Sequence, residues 1–447
     1  MRTARTLIAA AILAAIVPPV AAASPPGPMR PDPALLRRSV EALVGFGTRH
    51  TLSSATDPKR GIGAARAWAA RRFGEIGAAC GGCLTVETVG DVVSGPRAPA
   101  GVRVENVIAI QQGQGDPGRV VIIQAHIDSR ASDVMDAASD APGANDDASG
   151  VALVMEAARI LSAEKFAGTI VYAALSGEEQ GLWGGRLLAR LARERGWQVA
   201  AVLNNDIVGN TTGLSGQRVD DRVRVFSEGV GAAAELDAVR ALRMNGGEDD
   251  GPSRALAKAV RRIAERERGR DPRALSVLAV RRPDRFQRGG DHTPFLEAGM
   301  PAVRFTEAVE NYDHQHQNVR TENGRFFGDT IEHMDFAYLA RVTALNLAVA
   351  RELAAAPAAP QGVTISGALS DDIAVRWTPV PGAAGYRVRW RAADRPDWTD
   401  QRDLPAGATG TTLETVVIDD HFVGVSALSA SGAESLVSFA GPAPRGR

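Results

Sequence analysis

Between residues 119 and 206, four segments carry a histidine or carboxylate where an apolar run ends or a helix begins: RVVIIQAHIDS, PGANDDASGVA, VYAALSGEEQGLWG and VLNNDIVGN. In an open α/β sheet such ends collect along one rim, the usual place for a site. One His, several Asp and a Glu-Glu pair on one rim would be costly to hold together without a cation. The chemistry these residue types suit is hydrolysis assisted by two metal ions.

His126 ends an apolar strand and Asp128 lies two residues on, so both side chains face the same way. The imidazole would be a natural zinc ligand and the carboxylate could hold its tautomer. Alone, the pair would read as a capped strand end. In Asn145-Asp146-Asp147 one acid is explained as the N-cap of the helix that follows. Three polar residues in a row exceed what capping needs, and a carboxylate there could bridge two cations. Glu178 and Glu179 follow a strand, and adjacent side chains diverge. One can therefore ligate while the other faces the water that must lose a proton; the bland reading is an acidic loop. Asp206 would add an oxygen ligand, or merely end its strand. His314 and His316, in NYDHQHQNVR, could close the second ion's shell. Ser129, Ser149 and Ser176 have no evident base partner and read as structural.

The order HxD, GxNDDASG, xGEEQGLxG, NxD and a late His closely resembles the co-catalytic zinc aminopeptidases of metallopeptidase family 28, over residues 106–336. GANDDASG and SGEEQGLWG are its most specific parts. The resemblance implies two Zn²⁺ ions with Asp146 bridging them, and His126 and Asp206 completing opposite metals. Glu179 would be a further ligand, Glu178 the general base, and Asp128 the residue that orients His126. The last ligand would be His316, with His314 the fallback. Asp291-His292 matches a family segment near the cleft, where the His is usually not a ligand. The implied substrates are peptides with a free N-terminus. A glutaminyl cyclase shares the fold and most ligands but normally uses one zinc, and a carboxypeptidase of the same family is a third reading. A non-enzymatic binding protein would have degraded ligands, whereas this set is complete.

The elements that must position these residues alternate. Helical apolar spacing covers 33–44 and 61–76, and strands follow at 84–89, 102–111 and 120–125. A helix over 148–165, a strand at 169–175, a helix at 182–195 and a strand at 199–205 come next. The pattern loosens over 210–290, with one strand at 223–226 and a basic helix at 254–268, a region expected to wall the cleft. A strand at 302–306 and a helix over 330–355 close the domain. The fold class is α/β, a mainly parallel central sheet flanked by helices as in zinc exopeptidases. After a Pro/Ala linker at 355–360 the period changes to two, which predicts an all-β sandwich over 361–447. Trp377, and Tyr386 after VPGAAG, make that part resemble a fibronectin type III domain over 360–442.

At 447 residues, with 45% hydrophobic composition, the chain can bury a large core in more than one part. Its net charge of −1 gives no reason to expect nucleic acid or an anionic membrane as partner. Arg2 and Arg5, the apolar run 7–17 and Ala21-Ala22-Ala23 read as a secretory signal over 1–23, placing the mature peptidase domain, 24–354, in the periplasm or outside the cell. No later stretch is apolar and long enough to span a membrane. In an exported protein Cys80 and Cys83 are expected to form a disulfide.

Overall fold

Strands that are apolar on both faces must lie inside a sheet covered on both sides. The computed structural model describes residues 30–232 and 234–443, and the signal read in 1–23 lies outside them. Among the described residues, eight strands form one sheet: β1 (Leu84–Gly95), β2 (Ala98–Gln111), β3 (Asp116–His126), β4 (Gly168–Leu175), β5 (Gln198–Asn205), β6 (Arg222–Phe226), β7 (Ser276–Val280) and β8 (Ala302–Glu307). Their order is β1-β2-β4-β3-β5-β8-β6-β7. The central run β4-β3-β5-β8 is parallel, as expected. Antiparallel pairing enters on both flanks, where β2 meets β4 and β6 meets β8, so the sheet as a whole is mixed.

The two faces follow from alternation along each strand. Val121, Ile123 and Ala125 of β3 join a core with α1 (Pro33–Val44), α2 (Ile62–Ala79), α3 (Ala148–Leu161), α7 (Pro252–Arg270) and α9 (Phe336–Ala355). Val120 and Ile122 face the opposite core, which α5 (Trp183–Glu194) and α8 (Thr293–Glu297) cover. Burying each such Val or Ile contributes roughly 1.5–3 kcal/mol.

The structure departs from the sequence expectation in three places. The β1–β2 hairpin extends well beyond 84–89 and 102–111, because its outer arm alternates in exposure and has no apolar run to announce it. Stretch 210–290 also holds α6 (Leu236–Asn245), a short helical turn at Gly247–Asp249 and β7, none of them expected. Helix α6 is short and buries no residue, while β7 is a short, half-buried edge strand. Helix α9 begins at Phe336 rather than 330, because the Asp335 carboxylate accepts the Tyr338 N–H at 2.9 Å and caps it there. A one-turn helix α4 (Glu178–Gly181) and a small hairpin, β9 (Arg320–Glu322) with β10 (Arg325–Phe327), complete this part.

Residues 356–360 lead from α9 into eight short strands in two four-stranded sheets. One sheet holds β11 (Gln361–Ser366), β12 (Ile373–Thr378), β15 (Gly410–Leu413) and β18 (Gly441–Pro442). The other holds β13 (Gly385–Ala392), β14 (Asp400–Pro405), β16 (His421–Leu428) and β17 (Ser438–Phe439). Trp377 and Tyr386 sit in their shared core, ring centroids 5.3 Å apart, and the Val380 N–H donates to the tyrosine oxygen at 2.7 Å. Cys80 and Cys83 are disulfide-bonded between α2 and β1. No helix of the described residues is long and apolar enough to cross a membrane.

Candidate metal centre

β3 ends on His126, whose Nδ1 lies 3.1 Å from the backbone carbonyl oxygen of Asp128. The Asp128 carboxylate is farther from that nitrogen, at 3.6 Å, because it is engaged elsewhere. It accepts the Thr51 hydroxyl at 3.0 Å and the backbone N–H groups of Glu178 and Glu179 at 3.3 and 3.2 Å. Asp128 therefore holds the histidine through its main chain and the Glu-Glu turn through its side chain. An Nδ1–H donated to that carbonyl leaves the Nε2 lone pair directed into the cluster.

Asp147, not Asp146, is the helix cap. Its carboxylate accepts the Gly150 N–H at 3.0 Å, and also the N–H groups of His126 at 3.2 Å and Ile207 at 3.3 Å. Burial raises its pKa well above the usual carboxylate value. Asp146 is thereby free to face inward. One of its oxygens lies 3.1 Å from His126 Nε2 and the other 3.0 Å from His316 Nε2. Buried Asp329 holds the backbone beneath, accepting the N–H groups of Asn145 and Asp146 at 2.8 and 2.7 Å.

Asp206, at the C-terminal end of β5, has a carboxylate oxygen 4.0 Å from His126 Nε2 and 2.6 Å from the fully buried Arg304 guanidinium. Glu179 Oε1 is 2.9 Å from His316 Nε2. His314 does not approach this cluster: it stacks on His333 at 3.6 Å. The alternation expected of residues two apart is broken by a helical turn at Tyr312–His314 and the left-handed backbone of His316, φ 50°.

Three sets of donor atoms fall within 4.8 Å of one another: His126 with Asp146 and Asp206, Asp146 with Glu179 and His316, and His126 with Glu178 and Glu179. Asp146 is common to the first two. His126 and Asp206 belong to the same set rather than to opposite ones, which corrects the expectation that they complete opposite metals. Parallel neighbours β3 and β5 end side by side, so their terminal side chains share one end of the rim.

The donors fit cations. Glu179 Oε1 is buried and receives no hydrogen bond, although His316 Nε2 is 2.9 Å away, as expected of two donors aimed at a shared ion. Burial works against a charged His126, but Asp128, Asp146 and further carboxylates outweigh it and raise its pKa well above the usual value. Burial likewise opposes charge on His316, yet Glu179 and Asp146 raise it to about 10. Both imidazoles respond to an excess of negative charge that a cation would relieve. Glu178, beside the donors and lining the cleft, has its pKa raised well above the usual carboxylate value by burial.

Arg304 and Asp329 are the neighbours that sequence reasoning missed. Arg304 had one legible signal, a charge between the apolar Val303 and Phe305 of the strand AVRFTE. Asp329 lies in irregular chain and had none.

Sheet order and rim chemistry together define the class, an α/β protein with a candidate metal centre at the C-terminal rim of its sheet. The profile of peptidase family M28 matches residues 106–350, and the chain belongs to that family. It is 43% identical over 415 residues to a "probable zinc metalloprotease" of Pyricularia oryzae, covering 90% of this chain and 81% of that one. A second, from Leptosphaeria maculans, is also 43% identical, covering 89% of this chain and 91% of its own. Among solved structures, the LapA aminopeptidase of Legionella pneumophila shares the fold with a TM-score of 0.50 at 20% identity, covering 73% and 72% of the two chains.

Proposed function

We propose that this protein is an exported, dinuclear zinc aminopeptidase that removes N-terminal residues from peptides. The observation that carries this reading is the pair of donor sets sharing Asp146, with Glu178 beside them and required by neither. His126, Asp146 and Asp206 would hold one ion, and Asp146, Glu179 and His316 the other. When bound, zinc would lower the pKa of a water and polarise the scissile carbonyl. Glu178 takes the proton from the attacking water and passes it to the leaving amine. Asp128 keeps the Glu178 and Glu179 backbones in place, and Asp147 and Asp329 keep the bridging carboxylate aimed inward. The signal read in residues 1–23 supports export to the periplasm or beyond.

The test is mass spectrometry of a peptide mixture incubated with zinc-loaded protein, with and without chelator. The mixture contains free, acetylated and Gln-starting N-termini. Chelator-sensitive loss of single residues from free N-termini alone is the expected result. Shortening from the C-terminus would mean a carboxypeptidase, and ammonia loss from the Gln peptides without shortening would mean a cyclase. Metal analysis finding two zinc ions per chain is expected, and one would sink the dinuclear reading.

A further inference from the structure

The acidic floor of the cleft is enclosed by cationic walls. Arg97, Arg130, Arg285 and Arg288 line the same opening of about 250 Å³ as Asp146, Glu178, Glu179 and Asp206. They come from three separate segments. Arg97 sits at the tip of the β1–β2 hairpin, between the paired Gly95 and Ala98. Arg130 follows β3 by four residues, and Arg285 and Arg288 lie in the loop between β7 and α8.

Carboxylates pair with two of these guanidiniums, and only by sharing. Arg285 and Arg288 share Glu310, at 3.4 and 2.9 Å, with Arg224 on the same residue at 2.6 Å. Arg285 also meets Asp284 at 3.1 Å, but that carboxylate serves Arg304 as well, at 3.4 Å. Arg97 donates to the backbone carbonyl of Glu179 at 2.6 Å. Arg130 donates to the carbonyls of Ala131 and Ser132, at 3.2 and 3.1 Å. Among the described residues neither Arg97 nor Arg130 has a carboxylate partner. The floor acids do not balance them either, since Asp146, Glu179 and Asp206 are committed to metal in the reading above.

We propose that the cleft selects substrates carrying a carboxylate beside the scissile bond, taken by Arg130 and Arg97 with Arg285 and Arg288 adding field. Guanidinium matches carboxylate with paired donors, and partial enclosure limits screening. The opening is smaller than the ~300–1,000 Å³ of pockets for drug-sized ligands, which suits one or two residues rather than an extended chain. The carboxylate can come from an acidic N-terminal side chain or from the C-terminus of a dipeptide. This inference rests on the peptidase reading, and its test separates the two.

The experiment compares kcat/KM of the zinc-loaded protein for Glu-Ala amide against Gln-Ala amide, and for Leu-Ala against Leu-Ala amide, by release of the second residue. Release of that residue excludes cyclisation as the signal. In at least one pair the anionic member is expected to win by about tenfold or more, the scale of a charge-assisted hydrogen bond. The first pair winning identifies an acidic side chain, the second a terminal carboxylate. In Arg130→Gln, and further in Arg97→Gln/Arg130→Gln, that ratio collapses, and Arg130→Lys restores part of it. Arg130→Gln leaves the Arg97 bond to Glu179 intact, and a thermal melt confirms folding. No anionic preference, or one that survives both substitutions, overturns the proposal. If nothing is hydrolysed, the peptidase reading fails, and calorimetry with the same intact peptides decides this point alone. Tighter binding of the anionic members supports the cationic cleft, and equal binding overturns it.

Discussion

Asp128 shows how one residue can serve a site from two atoms. Its carbonyl oxygen faces His126, while its carboxylate ties down the turn bearing Glu178 and Glu179. Asp128→Asn keeps the carbonyl but weakens acceptance of those N–H groups, so kcat is expected to fall while one metal stays bound, checked by kinetics alongside metal analysis. Glu178 belongs to neither donor set built on Asp146. Glu178→Gln should therefore retain its zinc and lose about 10²–10⁴-fold in kcat, the range for a general acid–base group; full activity in that variant would falsify the mechanism. The two late histidines separate cleanly. His316→Ala should lower bound zinc by one equivalent, whereas His314→Ala, which removes only a ring stacked on His333, should leave zinc content as it was.

At the scale of elements, the site depends on where strands and helices stop. β3 stops at His126 because Asp147 accepts that residue's N–H while capping α3, so the end of one element and the start of the next share one carboxylate. Helix α9 starts where Asp335 caps it, and Asp335→Ala should cost about 1 kcal/mol, within the usual 0.5–2 kcal/mol for a lost cap, read by denaturant titration. Ile122, fully buried in the middle of β3, has no such slack. Ile122→Ala should cost about 2–5 kcal/mol through lost burial and a residual cavity.

Across the whole molecule, the β-sandwich is tied to the peptidase part by buried charge. Glu434 is bound by Arg389 at 2.7 Å within the sandwich and approached by Arg262 of α7 at 3.3 Å, while Arg391 meets Asp250 at 2.6 Å. Phe422 packs over Gly246, where any Cβ would strike the ring at 2.7 Å. Burial opposes ionisation of Glu434, but Arg389 and Arg262 prevail and lower its pKa from 4.5 to about 2. A depressed carboxylate contributes stability that is complete above pH 4.5 and disappears as pH falls through about 2. That shift corresponds to about 3 kcal/mol. Glu434→Gln should therefore melt well below the parent at pH 7, because it leaves buried guanidiniums unpaired, and the gap should narrow as pH is lowered through this window. A gap independent of pH would show that Glu434 acts by packing alone.

Much of this was legible in the chain because it is local. Strand ends at His126, Glu178 and Asp206 follow from apolar runs that stop abruptly, and the acidic segment before α3 follows from the needs of a helix start. Sequence order can say that such residues share a rim, since parallel strands must end together. It cannot say which ends are neighbours, and that decided the pairing of His126 with Asp206. Residue types alone could not choose between Asp146 and Asp147, or between His314 and His316, because those choices turn on backbone direction within a turn; the family resemblance is what pointed to Asp146 and His316. Arg304 stood out in its buried strand, and Arg285 and Arg288 fall in the stretch expected to wall the cleft, but Asp329, Arg97 and Arg130 lay further out of reach. Each comes from a separate segment whose own composition is ordinary, and only the packing of sheet, hairpin tip and loops makes them neighbours.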